Sequence, residues 1–467
     1  MKKILSIYLA LILLLCTGLT SCNKLIEIGT PQNQLVTASV FNDTATVESA
    51  VLGLYSKLAN GGSGTDMGTA TTLFDALSAD EGYHFSYTFY NDFLNNALTP
   101  NTYYVDAYWS GTYNIIYTAN SLLLGDSTSS LPAAYRARII GEAKFARALC
   151  YFYLVNEYGA VPLVLTTDAQ KAALQPRDSV NTVYDQIEKD LTEAKAVLPT
   201  DLSLYNGNRT RATSWAADAL LARVYLYRGK WSQSEAMATA VIDNPGLFTM
   251  LADPSKVFLA NSQEGILQFT NALSFMWIAN TLGVSSYSVT PNFVLSDSLY
   301  ASFEPGDLRK ASWTGIKTYG SVDYPYPSKY KYTSGTSIVE YAQLLRLPEQ
   351  YLIRAEARTR QNDFSGAAAD LDVVRTRAGL PNTAATDMTS LVAAIEHECR
   401  TEFFCEWGHR WLDLKRWPGI TNPSATRADE VLSVVKGSQW QSTDKLFPIP
   451  QPEINSNLNL TQNPGYN

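Results

Sequence analysis

Two stretches of this 467-residue chain set flat aromatic rings beside carboxylate and amide groups. The first holds Asp80, Tyr83, Phe85, Tyr87, Phe89, Tyr90 and Asn91; the second holds Trp277, Tyr287, Trp313, Tyr324 and Tyr326. Sugars present C–H faces that stack on tyrosine and tryptophan rings, while their hydroxyls seek Asp, Asn and Arg side chains. Rings of this kind, carried on loops held by a rigid body, suit a glycan platform. A single aromatic is more often core or loop packing, so only as sets do these rings point to a surface that binds.

No bond-breaking motif accompanies them. The chain has no Gly-x-Ser-x-Gly elbow, no His-Glu-x-x-His, no Walker loop and no dinucleotide fingerprint. Its three histidines, His84, His397 and His409, leave little for metal or acid–base work. On one helix, Glu402, Glu406, His409 and Asp413 would share a face, as metal ligands do in helical bundles. Beside Arg410 and Arg416 the expectation is instead a salt-bridged structural face, with no metal and no cofactor. A glycosidase needs only two carboxylates, which distant parts of a sequence can supply; the 44 acids neither exclude nor support one.

The element that must position these groups is the run Ile395–Trp417, stopped by Pro418 and Gly419. Ile395, Cys399, Phe403, Trp407, Trp411 and Leu414 recur at helical spacing, which predicts one continuous helix about 35 Å long. Glu396–Arg400, Glu406–Arg410 and Arg410–Asp413 fall at pairing distance along it. Such a helix is a strut packed on several sides. Three pairs of segments look like copies of one helical hairpin: Ile139–Tyr158 with Val180–Leu198, Thr213–Arg228 with Trp231–Asp243, and Leu344–Gln361 with Phe364–Ala378. Small residues stand where paired helices would cross, Ala217 and Ala222 against Ser234 and Ala238, and Ala355 against Ala367 and Ala368. Ala222, Tyr225, Gly229 and Pro245 loosely fit a tetratricopeptide frame, whose period is about 34 residues. The predicted fold is mainly α, with tetratricopeptide-like hairpins embedded in a larger body that carries irregular loop and short-strand inserts.

Elsewhere Phe41–Leu58 reads as a helix, and the pattern from Tyr108 turns helical. Tyr83, Phe85, Tyr87 and Phe89 alternate as in an extended strand. Residues 269–332 read as loops and short strands, with Tyr324-Pro325-Tyr326-Pro327 necessarily extended. Pro448, Pro450 and Pro452 make the tail an irregular strap.

With 46% apolar residues the chain can bury a large core, and its length suits two or three domains. A net charge of −8 and a pI near 5.1, without a basic stripe, argue against nucleic acid as a partner. At the start, Lys2-Lys3 precede an apolar run, Ile4–Leu15, shorter than the about 20 residues that span a bilayer. Leu19-Thr20-Ser21-Cys22 follows, so the segment reads as a secretory signal. It resembles a bacterial lipobox, which implies cleavage before Cys22 and acylation of its sulfur. Cys150, Cys399 and Cys405 remain, an odd number with no disulfide framework or metal cluster, and they are expected to act as small hydrophobes.

The run TEFFCEWGHRWLDLKRW resembles the late helix of the SusD/RagB family, surface lipoproteins that capture nutrients for an outer-membrane transporter. The tail, from Leu446-Phe447-Pro448-Ile449-Pro450 through Glu453-Ile454 to Gln462-Asn463-Pro464-Gly465-Tyr466, is similar to that family's C-terminal signature, and ARALCYFYLVNEYGAVPLV and LIRAEARTR resemble its standard segments. The resemblance implies a signal peptide at 1–21, an anchor and tether at 22–40, a helical part with an aromatic insert at 41–245, an aromatic loop-rich insert at 246–343, and helices with a proline-rich strap at 344–467. It implies a monomer on the outer membrane that acts as a lid over a SusC-like TonB-dependent β-barrel transporter and delivers oligosaccharide without hydrolysing it. Family members place their ligand aromatics in loops of the two regions named above. Peptide cargo, a glycan-active enzyme and a protein–protein adaptor stand as the alternatives. In one departure, only one acidic residue, Glu27, closely follows Cys22, where surface-displayed lipoproteins often carry several.

Overall fold

The computed structural model describes residue 41 and residues 43–59, 67–86, 88–125, 129–270, 277–284, 289–332 and 339–466. Cys22, Tyr87 and Tyr287 lie outside the described residues, as does the side chain of Trp277, whose backbone opens the helix Trp277–Leu282.

The body is a stack of helices. We number the principal ones α1 Thr44–Ala59, α2 Tyr103–Gly125, α3 Ala133–Tyr158, α4 Val180–Lys195, α5 Ser214–Tyr227, α6 Trp231–Ile242, α7 Leu347–Arg360 and α8 Phe364–Arg377. From α2 to α8 each packs on the next, with α6 joined directly to α7 although the chain between them is long. The hairpin ends follow local chemistry. The Thr213 hydroxyl accepts from the Ala216 N–H and Asp363 from the Gly366 N–H, capping α5 and α8. Gly229 and Asn362 take left-handed backbone at the two tight turns, at φ +66° and +65°. At the α5–α6 crossing the Ser234 hydroxyl donates to Ala222 O at 2.8 Å, an approach that a larger side chain would prevent. No described helix is long and apolar enough to cross a membrane.

The predicted strut is a correction. It is two helices, α9 Met388–Glu402 and α10 His409–Arg416, joined by a corner in which Cys405, Trp407 and Gly408 have φ of +52°, +44° and +70°. Left-handed backbone at a non-glycine residue costs about 1–2 kcal/mol. What holds the corner is buried charge and ring area. Arg309 reaches Glu398 and Glu402, Arg346 reaches Glu402 and Glu406, Arg377 reaches Glu402, and Lys329 reaches Glu406. These partners approach from different directions, and a straight helix would carry Glu406 away from them. Phe403, Phe404, Trp407 and Trp411 are buried in the same corner. The pairs expected along one helix are corrected with it. Arg410 binds Glu396 and Asp80, Arg400 binds Asp80, and only Asp413 stays local, paired with Arg416.

Six short strands form three antiparallel pairs: β1 Gly82–His84 with β3 Phe293–Leu295, β2 Gly265–Phe269 with β6 Ala342–Arg346, and β4 Thr314–Tyr319 with β5 Val322–Pro327. The strand expected across Tyr83–Phe89 stops at His84. There Nδ1 of His84 accepts from the Ser86 N–H at 3.3 Å, and Thr88–Tyr90 coils as a 3₁₀ turn. The tail crosses α3 as a strap, broken by a helical turn at Gln451–Ser456. Phe447 N–H donates to Glu157 O at 2.7 Å, and Asn463 Nδ2 donates to Tyr158 O at 2.9 Å.

Candidate functional site

β1 and the β4–β5 hairpin bring the two aromatic stretches together. Tyr83, paired with Val294 in the ladder, is 37% exposed. Two residues on, Phe85 is held by its N–H donating to Asn292 O at 2.8 Å. Its ring meets Tyr324 edge to face at 5.1 Å and Tyr319 at 6.5 Å. Tyr319 is 50% exposed, because Gly320 and Ser321 form a left-handed hairpin tip that holds it in solvent. Burial raises the Tyr83 phenol above its usual range, helped by Tyr324 and the exposed Asp297. Thr318 donates to Asp323 at 2.6 Å on the same hairpin. Tyr326 is half-buried and closes over Gly315, where a Cβ would fall 2.4 Å from its ring; it supports the hairpin from within.

A second ring group lies on the other face of β1. His84 contacts Tyr90 at 5.0 Å, Tyr90 contacts Phe89 at 4.7 Å, and Phe89 stacks on Tyr104 at 6.1 Å. Phe89 is 51% and Tyr103, beside Tyr104, 66% exposed. Asn91 is exposed at the start of a short helix. Burial lowers His84 to about 4, so it is neutral at physiological pH.

Two expected residues do not belong to this surface. Trp313 is 1% exposed, donates from Nε1 to Pro254 O at 2.8 Å and lies against Lys329, Arg346 and Arg377; it is a core ring beneath the charged corner. Asp80 is 4% exposed and is taken up by Arg410 and Arg400. Tyr319 and Tyr103 were the rings that sequence reasoning missed; the Tyr-Gly-Ser turn was the available signal for the first. The helix face expected to be salt-bridged is dispersed over the corner and is indeed ion-paired. Glu402 and Glu406 are filled by arginines and Lys329, while His409 stacks on Phe403 at 4.5 Å. Burial first, then the surrounding arginines, keep that imidazole neutral. Among the described residues no cluster has the make-up of a metal site.

The model of the SusD family matches residues 299–466, and a model described as starch-binding and associating with the outer membrane matches residues 30–226. The chain belongs to the SusD/RagB family. SusD-like protein P2 of Formosa agariphila is 26% identical over the whole of both chains. The starch-binding protein SusD of Bacteroides thetaiotaomicron is 22% identical over 73% of this chain and 75% of its own. Among solved structures, a laminarin-binding SusD-like protein is 26% identical with a TM-score of 0.75, over 91% of this chain and all of the other. A SusD superfamily protein from Bacteroides vulgatus shares the fold at 18% identity, with a TM-score of 0.79 over 91% of this chain and all of its own. The mainly α, hairpin-built SusD fold expected from the sequence is therefore the observed one. Tyr83, Phe85, Phe89 and Tyr90 fall within the match at 30–226 and Tyr319, Tyr324 and Tyr326 within that at 299–466, whereas Trp277 and Tyr287 fall within neither.

Proposed function

We propose that this SusD/RagB protein binds a glycan on the surface formed by Tyr83, Phe85, Tyr319 and Tyr324, and passes it uncut to a SusC-like TonB-dependent β-barrel beneath it. The observation that carries this reading is the 5.1 Å contact of Phe85 with Tyr324, which joins rings from two distant segments into one exposed, rigidly rooted patch. Edge-to-face rings with Asp297, Thr318 and Asp323 around them suit the alternating apolar and hydroxyl character of a sugar chain. The starch- and laminarin-binding relatives supply the first ligands to try. Acylation at Cys22 would tie the protein to the outer membrane, each buried CH₂ of a lipid chain contributing about 0.8 kcal/mol.

The test is calorimetric titration with laminarin, starch and a wider polysaccharide panel, with reducing ends assayed in parallel. Binding that Tyr324→Ala weakens, with no release of reducing ends, is expected. Release of product would make the protein an enzyme. Exclusive recovery of bound peptide would move the cargo to another class. Loss of membrane fractionation in Cys22→Ser checks the anchor.

A further inference from the structure

A second ring-lined groove, of about 540 Å³, runs between α2, the segment 162–173 and the helical turn of the tail. Its size falls within the about 300–1,000 Å³ of ordinary ligand pockets. Trp109, Tyr113 and Tyr117 form one wall, and Glu453, Ser456 and Asn457 another.

The groove is built by fixed contacts. The Tyr113 hydroxyl donates to Pro162 O at 2.8 Å. Gln451 N–H donates to Pro100 O at 2.8 Å, tying the tail to the foot of α2. Asn457 and Asn459 donate to Gln175 O and Leu174 O at 2.8 and 2.7 Å, closing the far end.

Inside this frame, polar groups are left over. The Glu453 carboxylate has no hydrogen-bonding or cationic partner among the described residues. The Trp109 indole N–H likewise donates to no described group, although the side chain is 3% exposed. A ligand that carries both hydrogen-bond donors and acceptors would meet these groups in the groove. Tyr117, 55% exposed, offers a flat ring at the rim.

Placement on α2 links this groove to the first surface. Tyr103 and Tyr117 lie on the same side of the helix, and fourteen residues of α-helix rise about 21 Å. Tyr103 meets Tyr104, which stacks on Phe89. Exposed rings therefore stand at both ends of one side of α2, one beside β1 and the other at the groove.

We infer that the Trp109–Tyr117–Glu453 groove is a second glycan subsite, which holds a stretch of the same polysaccharide beyond the platform. This rests on the glycan reading above. Sugar hydroxyls donate to Glu453 and accept from Trp109, while a sugar face covers Tyr117.

The experiment compares a trisaccharide with long chains of the same glycan on wild type, Tyr117→Ala, Glu453→Gln and Tyr324→Ala. Expected is a loss of about three- to tenfold for long chains alone in the first two variants, and for both lengths in Tyr324→Ala. Hydrogen exchange at 451–460 should slow when the long chain binds and stay unchanged with the trisaccharide. Wild-type affinity for long chains in both groove variants, with no added protection at 451–460, overturns the subsite and leaves the platform standing. Absence of binding at every length overturns both, and protection at 451–460 by a peptide but by no glycan overturns the subsite.

Discussion

Arg410 grips Asp80 with two hydrogen bonds, Nε to one oxygen at 2.8 Å and Nη2 to the other at 3.1 Å, across 330 residues of sequence. The contact locks the segment leading into β1 to the corner between α9 and α10. Asp80 thereby serves the fold beneath β1, turned away from the exposed rings.

Asp80→Ala is accordingly expected to destabilise the fold by about 3–5 kcal/mol, because it strands Arg410 and Arg400 in a largely buried site. Urea unfolding would measure this. Glycan affinity of the folded fraction should stay unchanged, whereas a sugar-contacting Asp80 would lose affinity at full stability.

Tyr324→Ala and Trp313→Ala should part in the opposite way. The first removes a half-exposed ring and is expected to cost about 0.5–1.5 kcal/mol of binding with little change in Tm. The second empties a core position and should cost about 3–5 kcal/mol of stability. Titration and thermal unfolding on the same two preparations separate them.

Gly408→Ala tests the corner. A Cβ there would fall 2.0 Å from Asp75 Oδ2, at a φ of +70°. Left-handed strain and overpacking together predict a loss of about 2–4 kcal/mol by chemical denaturation. A neutral result would mean that the corner is not held in this conformation.

Two neighbours should shape the pH profile with opposite sign. Burial would raise Asp80, but Arg410 and Arg400 outweigh it and hold the carboxyl at about 2, below its ordinary 3.8. Its stabilisation is present above the ordinary value and is lost as pH falls toward 2. Burial, then Asp80, push Glu81 up to about 7 from 4.5. Its contribution is complete below 4.5 and is lost as pH rises through 7. Urea midpoints should therefore decline from about pH 4.5 to neutrality, and Glu81→Gln should flatten that decline.

The hairpins were legible because each boundary has a local cause. Gly229 and Asn362 turn the chain, Thr213 and Asp363 cap the helices that begin there, and the small residues mark the crossing. The corner at Phe403–Gly408 was not legible. Its apolar stripe runs unbroken from Ile395 to Leu414, and the force that bends it comes from Arg309, Lys329, Arg346 and Arg377, which sequence spacing does not relate to it. The candidate site divides similarly. That two segments are rich in aromatic rings could be read from composition. That Trp313 lies inward while Tyr319 stands in solvent depends on the charged corner beneath one and a two-residue tip beside the other.

The β4–β5 hairpin re-enters the body at Lys329, two residues past Pro327. Its ammonium donates to Glu402 O at 2.8 Å and to Glu406, and sits 3.8 Å over the Phe404 ring. Tyr319 and Tyr324 thus stand on a stem clamped at its base before any cargo arrives. A stem ordered at folding has less backbone freedom to surrender, so a glycan caught there as proposed should meet a smaller entropic penalty than one that must order the hairpin itself.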